Sequence, residues 1–147
     1  MKLEEIGFYT LSDERVQNVT TQTPMSRCEL IITDKCNFRC PYCRGLREDC
    51  RGVIDFEKAK QIIDYWSENG LKNIRFSGGE PTLNEDLSSM VSYCKDNGVE
   101  HVAISTNGSA NLEFYRRLCE LGVNDFSISL DACCSAFGKK MTGGIEG

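Results

Sequence analysis

Hydrophobic and polar positions follow one pattern three times along the chain. "GLKNIRFS" begins at Gly70, "GVEHVAIS" at Gly98 and "GVNDFSIS" at Gly122. Each stretch opens with glycine and an apolar residue, then alternates, and ends on serine. Glycine followed by an apolar residue is how a helix stops: the glycine turns left-handed and the next side chain folds back. The alternation that follows predicts a strand. The segments ahead of the glycines predict helices. Phe56, Ala59, Ile62, Ile63 and Trp66 form one apolar stripe, with Asp55 as its cap. Leu87, Met90, Val91 and Cys94 form the next, after Asn84, and Leu112, Tyr115, Leu118 and Leu121 the third, after Asn111. With "CELIIT" as a first strand the order is βαβαβαβ. Such alternation implies a mainly parallel sheet with right-handed crossovers, in a barrel or an open α/β fold.

The direction of the side chains chooses between these. Ile74 and Phe76, Val102 and Ile104, and Phe126 and Ile128 share the face that must meet the helices. The other face carries Arg75 and Ser77, Ala103 and Ser105, Ser127 and Ser129, and, from the first strand, Glu29, Ile31 and Thr33. An open doubly wound sheet needs apolar residues on both faces. A small, polar face suits the lumen of a partial (β/α) barrel holding a polar ligand, although a wet sheet face would have the same composition. In barrels the site is built from the loops at the C-terminal strand ends, and here each of those loops has its own chemical character.

Composition narrows the class. No run of apolar residues approaches the ~20 that span a bilayer, and the first residues, "MKLEEIGFYTLSDERV", carry acids where a signal peptide has its apolar centre. A cytoplasmic protein with no membrane association is expected. The net charge of −5 argues against general nucleic-acid binding. Lys35, Arg39, Arg44, Arg47 and Arg51 surround a cysteine-rich loop, for which a solvated charged loop is the plain explanation. Nine cysteines, an odd number, with no export signal favour metal binding or buried thiols over a disulfide framework. Cys94 and Cys119 fall on predicted apolar helix faces and are expected to be core hydrophobes. Residues 1–27 carry no motif and are expected to be a short extension packed on a core domain of residues 28–147.

The loop after the first strand holds "CNFRCPYC", with Cys36, Cys40 and Cys43. Zinc would need a fourth ligand, and Cys28, Cys50 or His101 are the candidates. Three cysteines on one loop also suit a [4Fe–4S] cluster with one iron left open for substrate. The second strand runs into "SGGEPTL", residues 77–83, where two glycines allow close approach, their N–H groups suit a carboxylate, and Glu80 suits an ammonium group. Taken alone it is a tight turn with a surface acid. "STNG" (105–108) follows the third strand and "SLDA" (129–132) the fourth, with hydroxyl, amide and carboxylate groups suited to ribose and carboxylate oxygens. Alone, "TNG" is an ordinary turn.

These residues resemble the radical SAM superfamily. Cys36, Cys40 and Cys43 match its CxxxCxxC signature, Tyr42 its aromatic before the third cysteine, and Ser77 to Pro81 its GGE motif. The resemblance covers about residues 28–147, and is nearest the branch of the molybdenum-cofactor GTP cyclase and peptide-modifying maturases. It implies a [4Fe–4S] cluster held by Cys36, Cys40 and Cys43, with S-adenosylmethionine (SAM) on the fourth iron. It further implies reductive cleavage of SAM to a 5′-deoxyadenosyl radical that takes hydrogen from a small-molecule or peptide substrate. A low-potential electron donor such as flavodoxin or ferredoxin goes with that chemistry. Carried over by position, Gly79 and Glu80 would hold the methionyl amino end, with Ser77 and Gly78 in the same motif. Tyr42 would lie by the adenine, and Ser105, Thr106, Asn107 and Ser129 would reach the ribose or carboxylate. Arg75 matches a substrate-side arginine of the cyclase, and Asp131 is a second candidate on that side.

Two departures stand against a GTP substrate and a full barrel. The cyclase has a substrate-binding arginine seven residues before its first cluster cysteine, where this chain has Glu29; its second cluster, near its C-terminus, has no counterpart here. Family members have about six strand–helix units, fewer than the eight of the full barrel. Four are predicted here, which implies a truncated chain, with "MTGGIEG" leading into a further helix. A zinc-binding structural module and a non-catalytic cluster-binding remnant are the alternatives.

Overall fold

Among the described residues, four strands and three of the four helices follow the sequence pattern; the last, short helix was not predicted. The computed structural model describes residues 20–23, 26–43, 52–130 and 132–143. Strand β1 (Arg27–Thr33) leads through the cysteine loop to α1 (Phe56–Glu68). Then come β2 (Asn73–Gly78), a 3₁₀ turn (Pro81–Leu83), α2 (Leu87–Asp96), β3 (His101–Thr106), α3 (Leu112–Glu120), β4 (Asp125–Ile128) and the short α4 (Ser135–Met141). The strands lie in sequence order in one sheet, and every neighbouring pair is parallel. This is an α/β fold of partial size, as expected for part of a (β/α) barrel.

The repeated glycine–apolar pair ends each helix in the same way. Gly70, Gly98 and Gly122 have φ of 93°, 76° and 102°. Leu71, Val99 and Val123 fold back and are buried, and their N–H groups donate to Trp66, Cys94 and Leu118 carbonyls at 2.9, 3.0 and 3.0 Å. These are the six-to-one bonds of a Schellman motif. At the helix starts, Asp55 Oδ1 accepts from Lys58 N at 2.8 Å and Asn111 Oδ1 from Phe114 N at 2.8 Å, as expected. Asn84 does something else. Its amide donates to the carbonyls of Ile32 and Ile54 at 3.0 and 2.9 Å, and Asp86 takes the cap position of α2. The 3₁₀ turn shifts the helix start by two residues and leaves Asn84 buried beneath it.

Leu30, Ile32, Ile74, Phe76, Val102 and Ile104 meet Ala59, Ile63, Leu87, Met90, Val91 and Leu118 in one core. Cys94 belongs to it, fully buried, and burial pushes its thiol up to about 12. The half-buried Cys28 is likewise pushed up to about 12, by burial and by Cys94 beside it. Cys119 is a correction: it is exposed, because α3 buries Leu118 and the next position lies about 100° round the helix. Leu112, in the first turn, is 65% exposed. Phe126 packs edge-on against Tyr115, but Ile128 is 58% exposed. Among the described residues β4 pairs only with β3, so its end lies uncovered.

Of the stretch "MTGGIEG", Met141 ends α4, Thr142 and Gly143 form a turn, and residues 144–147 lie outside the described residues. Of the expected N-terminal extension, residues 20–23 form an exposed turn, and residues 1–19 lie outside the described residues. Among the described residues no helix is long and apolar enough to cross a membrane.

Candidate functional site

Three loops at the C-terminal ends of β1, β2 and β3 are bonded to one another. The cysteine loop leaves β1 at Thr33, beside a β-bulge, and the chain returns against the same strand end. Asp34 N donates to Gly52 O at 3.0 Å and Ile54 N to Ile32 O at 2.9 Å. Cys36 and Cys43 are exposed, and Cys40 is half-buried.

The two glycines of the GGE stretch press this loop into place. Gly79 N donates to Thr33 O and Glu80 N to Lys35 O, both at 2.7 Å. A β-carbon on Gly78 would stand 2.2 Å from Thr33 O, and one on Gly79 2.2 Å from Lys35 O. Only glycine permits this approach at both positions. The N–H groups of Gly79 and Glu80 therefore serve the cysteine loop, and the expectation that this stretch offers its N–H groups to a carboxylate gives way.

Glu80 is fully buried. Its Oε1 accepts from Thr82 N at 3.0 Å, Thr82 Oγ1 at 2.7 Å and Thr106 Oγ1 at 2.8 Å, and its Oε2 accepts from Asn107 N at 2.7 Å. Each carboxylate oxygen has about two acceptor sites; Oε1 already takes three donors and Oε2 one, so any further acceptance falls to Oε2. Thr106 is a correction. Its hydroxyl, 2% exposed, donates to Glu80, accepts from Gly108 N at 3.1 Å and lies 3.0 Å from Tyr115 Oη. It points into the protein and has no capacity left for ribose.

Asn107 reaches back over the cysteine loop. Its side-chain amide donates to Asn37 Oδ1 at 2.8 Å and lies 3.9 Å from Cys36 Sγ. Asn37 in turn donates to Ser109 Oγ at 2.8 Å. Phe38 N donates to Cys36 Sγ at 3.3 Å. Asn37 and Ser109 were not singled out from the sequence. Asparagine directly after the first cysteine, facing an asparagine turn, was the available sign.

A cleft of about 830 Å³ opens beside these loops. Its walls include Phe38, Cys40 and Tyr42 of the cysteine loop, Asn107 and Gly108, Ile128 to Leu130, and one side of α4. Tyr42, half exposed, and the exposed Ser129 thus share one space. The far end of α4 clamps the cysteine loop: Arg39 N donates to Thr142 O at 2.9 Å, and Gly143, at φ 76°, comes so close that a β-carbon there would meet Arg39 O at 2.3 Å. Ser77 and Ser105 lie apart from the cleft on the lumen face. Ser77 is buried, and Ser105 Oγ accepts from Arg75 Nη1 at 3.0 Å. Arg75 Nη2 also pairs with Asp125 at 3.5 Å, while its Nε is buried without a hydrogen-bond partner. Asp131 and Cys50 lie outside the described residues.

The chain belongs to the radical SAM superfamily. The family profile described as "Radical SAM superfamily" matches residues 30–146. A "Probable GTP 3′,8-cyclase" of Methanococcus maripaludis is 32% identical over 117 residues, covering 78% of this chain and 39% of that protein. A "GTP 3′,8-cyclase" of Staphylococcus aureus is 30% identical over 120 residues, covering 74% and 35%. The chain thus spans about two fifths or less of these relatives' length. Among solved structures, selenomethionine BtrN in an open conformation matches with TM-score 0.63 and 25% identity, over 79% of this chain and 53% of that one. Streptococcus suis SuiB bound to precursor peptide SuiA matches in fold, with TM-score 0.68 and 18% identity, over 82% and 28%. The superfamily is one whose chemistry uses an iron–sulfur cluster and SAM.

The donor set fits the cluster that the superfamily implies. Three thiols stand on one loop beyond a strand end, with an N–H···S bond of the kind that tunes cluster potentials. Among the described residues no three Cys, His, Asp or Glu side chains gather around a single-ion centre. A cubane spreads its three thiolates over separate irons. Of the fourth ligands suggested for zinc, Cys50 lies outside the described residues, and the other two do not serve. His101 begins β3 and Cys28 lies near the start of β1, whereas the cysteine loop leaves the opposite end of the sheet. Five residues of strand separate Cys28 from Thr33, about 17 Å at strand rise.

Proposed function

We propose that the chain carries the SAM-cleaving portion of a radical SAM enzyme acting on a small-molecule or peptide substrate. The supporting observation is the convergence of the GGE and TNG loops on the cysteine loop. Gly79 and Glu80 bond to its entry, and Asn107 bonds to Asn37 beside Cys36. Cys36, Cys40 and Cys43 would hold a [4Fe–4S] cluster. When bound, cluster and SAM supply a 5′-deoxyadenosyl radical that takes a hydrogen atom from substrate.

The chain's own residues bind and orient. Tyr42, Asn107 and Ser129 border the cleft, where an adenosyl group would lie flat against the tyrosine ring. Glu80 acts first through the protein, fixing the Asn107 backbone; the acceptor capacity left on Oε2 is what remains for an ammonium group beside Gly79. Arg75, Ser105 and Asp125 form the polar floor of the lumen on the substrate side. A low-potential flavodoxin or ferredoxin as electron donor, and a cytoplasmic setting, belong to this reading.

Anaerobic reconstitution with iron and sulfide, followed by absorption and EPR spectra and an assay for 5′-deoxyadenosine, tests it. A brown protein that releases 5′-deoxyadenosine with reductant and SAM is expected, and serine at Cys36, Cys40 or Cys43 should remove the colour. A colourless protein holding one zinc would sink the reading. A cluster without SAM cleavage would leave the non-catalytic remnant.

A further inference from the structure

Two thiols in the cleft have no part in that chemistry. Cys133 and Cys134 are consecutive, both exposed, and both on the cleft wall contributed by the start of α4. Their sulfurs are 3.8 Å apart. Two thiolates bonded at about 2.3 Å to a common centre at a tetrahedral angle stand about 3.8 Å apart. A pyramidal centre with narrower angles brings the two sulfurs a few tenths of an ångström closer, which side-chain rotation of two exposed residues supplies. Cys134 has extended backbone angles, φ −160° and ψ 163°, and its carbonyl accepts from Gly138 N at 2.8 Å. That holds one arm of the pair to the helix.

We propose that Cys133 and Cys134 form a dithiol site on the cleft wall for a soft, thiophilic ion that needs only two protein sulfurs, with trivalent arsenic as its type. Thiolate pairs select soft ions over hard ones. Among the described residues no third Cys, His, Asp or Glu groups with them, so those residues form no four-ligand zinc shell. An organic arsenical needs no more than two. With phenylarsine oxide, both S–H bonds and the As–O linkage break, two As–S bonds form, and one water leaves. No electron is transferred. Hydrogen bonds from the Phe137 backbone, then from the Cys133 thiol and the Ala136 backbone, lower the Cys134 thiol, which eases its deprotonation. The occupant would share the cleft with Cys40 and Tyr42.

The site is tested without cluster or SAM, so its failure is separate from failure of the functional proposal. The full chain carrying Cys36→Ser, Cys40→Ser and Cys43→Ser is treated anaerobically with phenylarsine oxide and weighed by intact mass spectrometry under excess 2-mercaptoethanol. One phenylarsenic adduct that resists the monothiol and is lifted by dithiothreitol is expected. Adding Cys133→Ser, Cys134→Ser or both should abolish it, because chelation needs both sulfurs. Circular dichroism confirms that each variant is folded. No resistant adduct in the folded triple variant, or an adduct that survives the loss of Cys133 and Cys134, overturns the proposal. In the second case the half-buried Cys28 with the buried Cys94 would be the site instead.

Discussion

The side-chain amide of Asn107 donates to Asn37 Oδ1 at 2.8 Å, joining the end of β3 to the cysteine loop. Asn37 returns a bond to Ser109, so two asparagines close a ring between the loops. The backbone of Asn107 is itself held by buried Glu80. Position therefore passes from the core, through Glu80 and Asn107, to the residue next to Cys36.

Asn37→Ala removes both links while leaving the three cysteines in place. Partly exposed hydrogen bonds are worth about 0.5–1.5 kcal/mol each. The loop should open roughly five- to a hundredfold more often. Amide hydrogen exchange at residues 36–40 should speed up accordingly, and a reconstituted cluster should lose iron to a chelator faster. Unchanged exchange in the variant would show that the ring does not hold the loop.

Glu80→Gln tests the other end of that path. Gln keeps the shape but replaces one acceptor oxygen with an NH₂ group, facing either Asn107 N or the Thr82 and Thr106 donors. A buried polar mismatch costs about 1–3 kcal/mol, and the loss of charge-assisted bonds adds to it. Urea unfolding of the cluster-free protein should show a loss of about 2–4 kcal/mol. Glu80→Ala should lose more, since four donors are then left without an acceptor. If either variant is as stable as the parent, Glu80 is not the structural tie described above, and direct ligand binding becomes its main role.

The sequence made the repeat legible because its cause is local. Gly70, Gly98 and Gly122 each end a helix through bonds spanning six residues, and the pattern that forces this is printed in the same six residues. The three cysteines and the GGE stretch were legible as chemistry. Their partners were not. Gly79 looks free to bind a ligand until Lys35 O is found 2.2 Å from where its β-carbon would be. Thr106 looks like a ribose contact until its hydroxyl is seen to donate its hydrogen bond to Glu80. Both contacts join residues 26 or more positions apart, brought together by register across parallel strands. Cys119 and Leu112 were misjudged because α3 meets the sheet along a narrow stripe centred on Leu118.

Cys94 makes the core sensitive to alkali. Burial raises its thiol from 9.0 to about 12, so the folded protein keeps this proton where the unfolded chain loses it. Stability from this group is intact below pH 9 and falls as pH rises toward 12. At pH 10.5 the loss is roughly 2 kcal/mol relative to pH 8. Cys94→Ala should be less stable at pH 8, through lost packing, but should show a shallower decline. Urea unfolding of both proteins at pH 8 and 10.5 checks this, and parallel declines would rule Cys94 out as the cause.

The lumen floor argues against GTP, despite the cyclases among the relatives. Glu29 stands directly across from Arg75 on the neighbouring strand, and Asp125 pairs with the same guanidinium from the other side. One arginine thus lies between two carboxylates, and two of its three nitrogens are already engaged by Asp125 and Ser105. A triphosphate entering there would meet a net negative row. A unit charge about 6 Å away costs roughly 0.7–3 kcal/mol between the screening of water and that of a protein surface, and a triphosphate carries several such charges. No GTP cyclase activity is expected from this chain, either alone or in a longer form that keeps Glu29. Incubation with GTP, SAM and reductant, followed by chromatography for a cyclised product, is the measurement. A cyclised product from protein with Glu29 intact would mean that the triphosphate binds away from this row, and the substrate assignment would have to return to GTP.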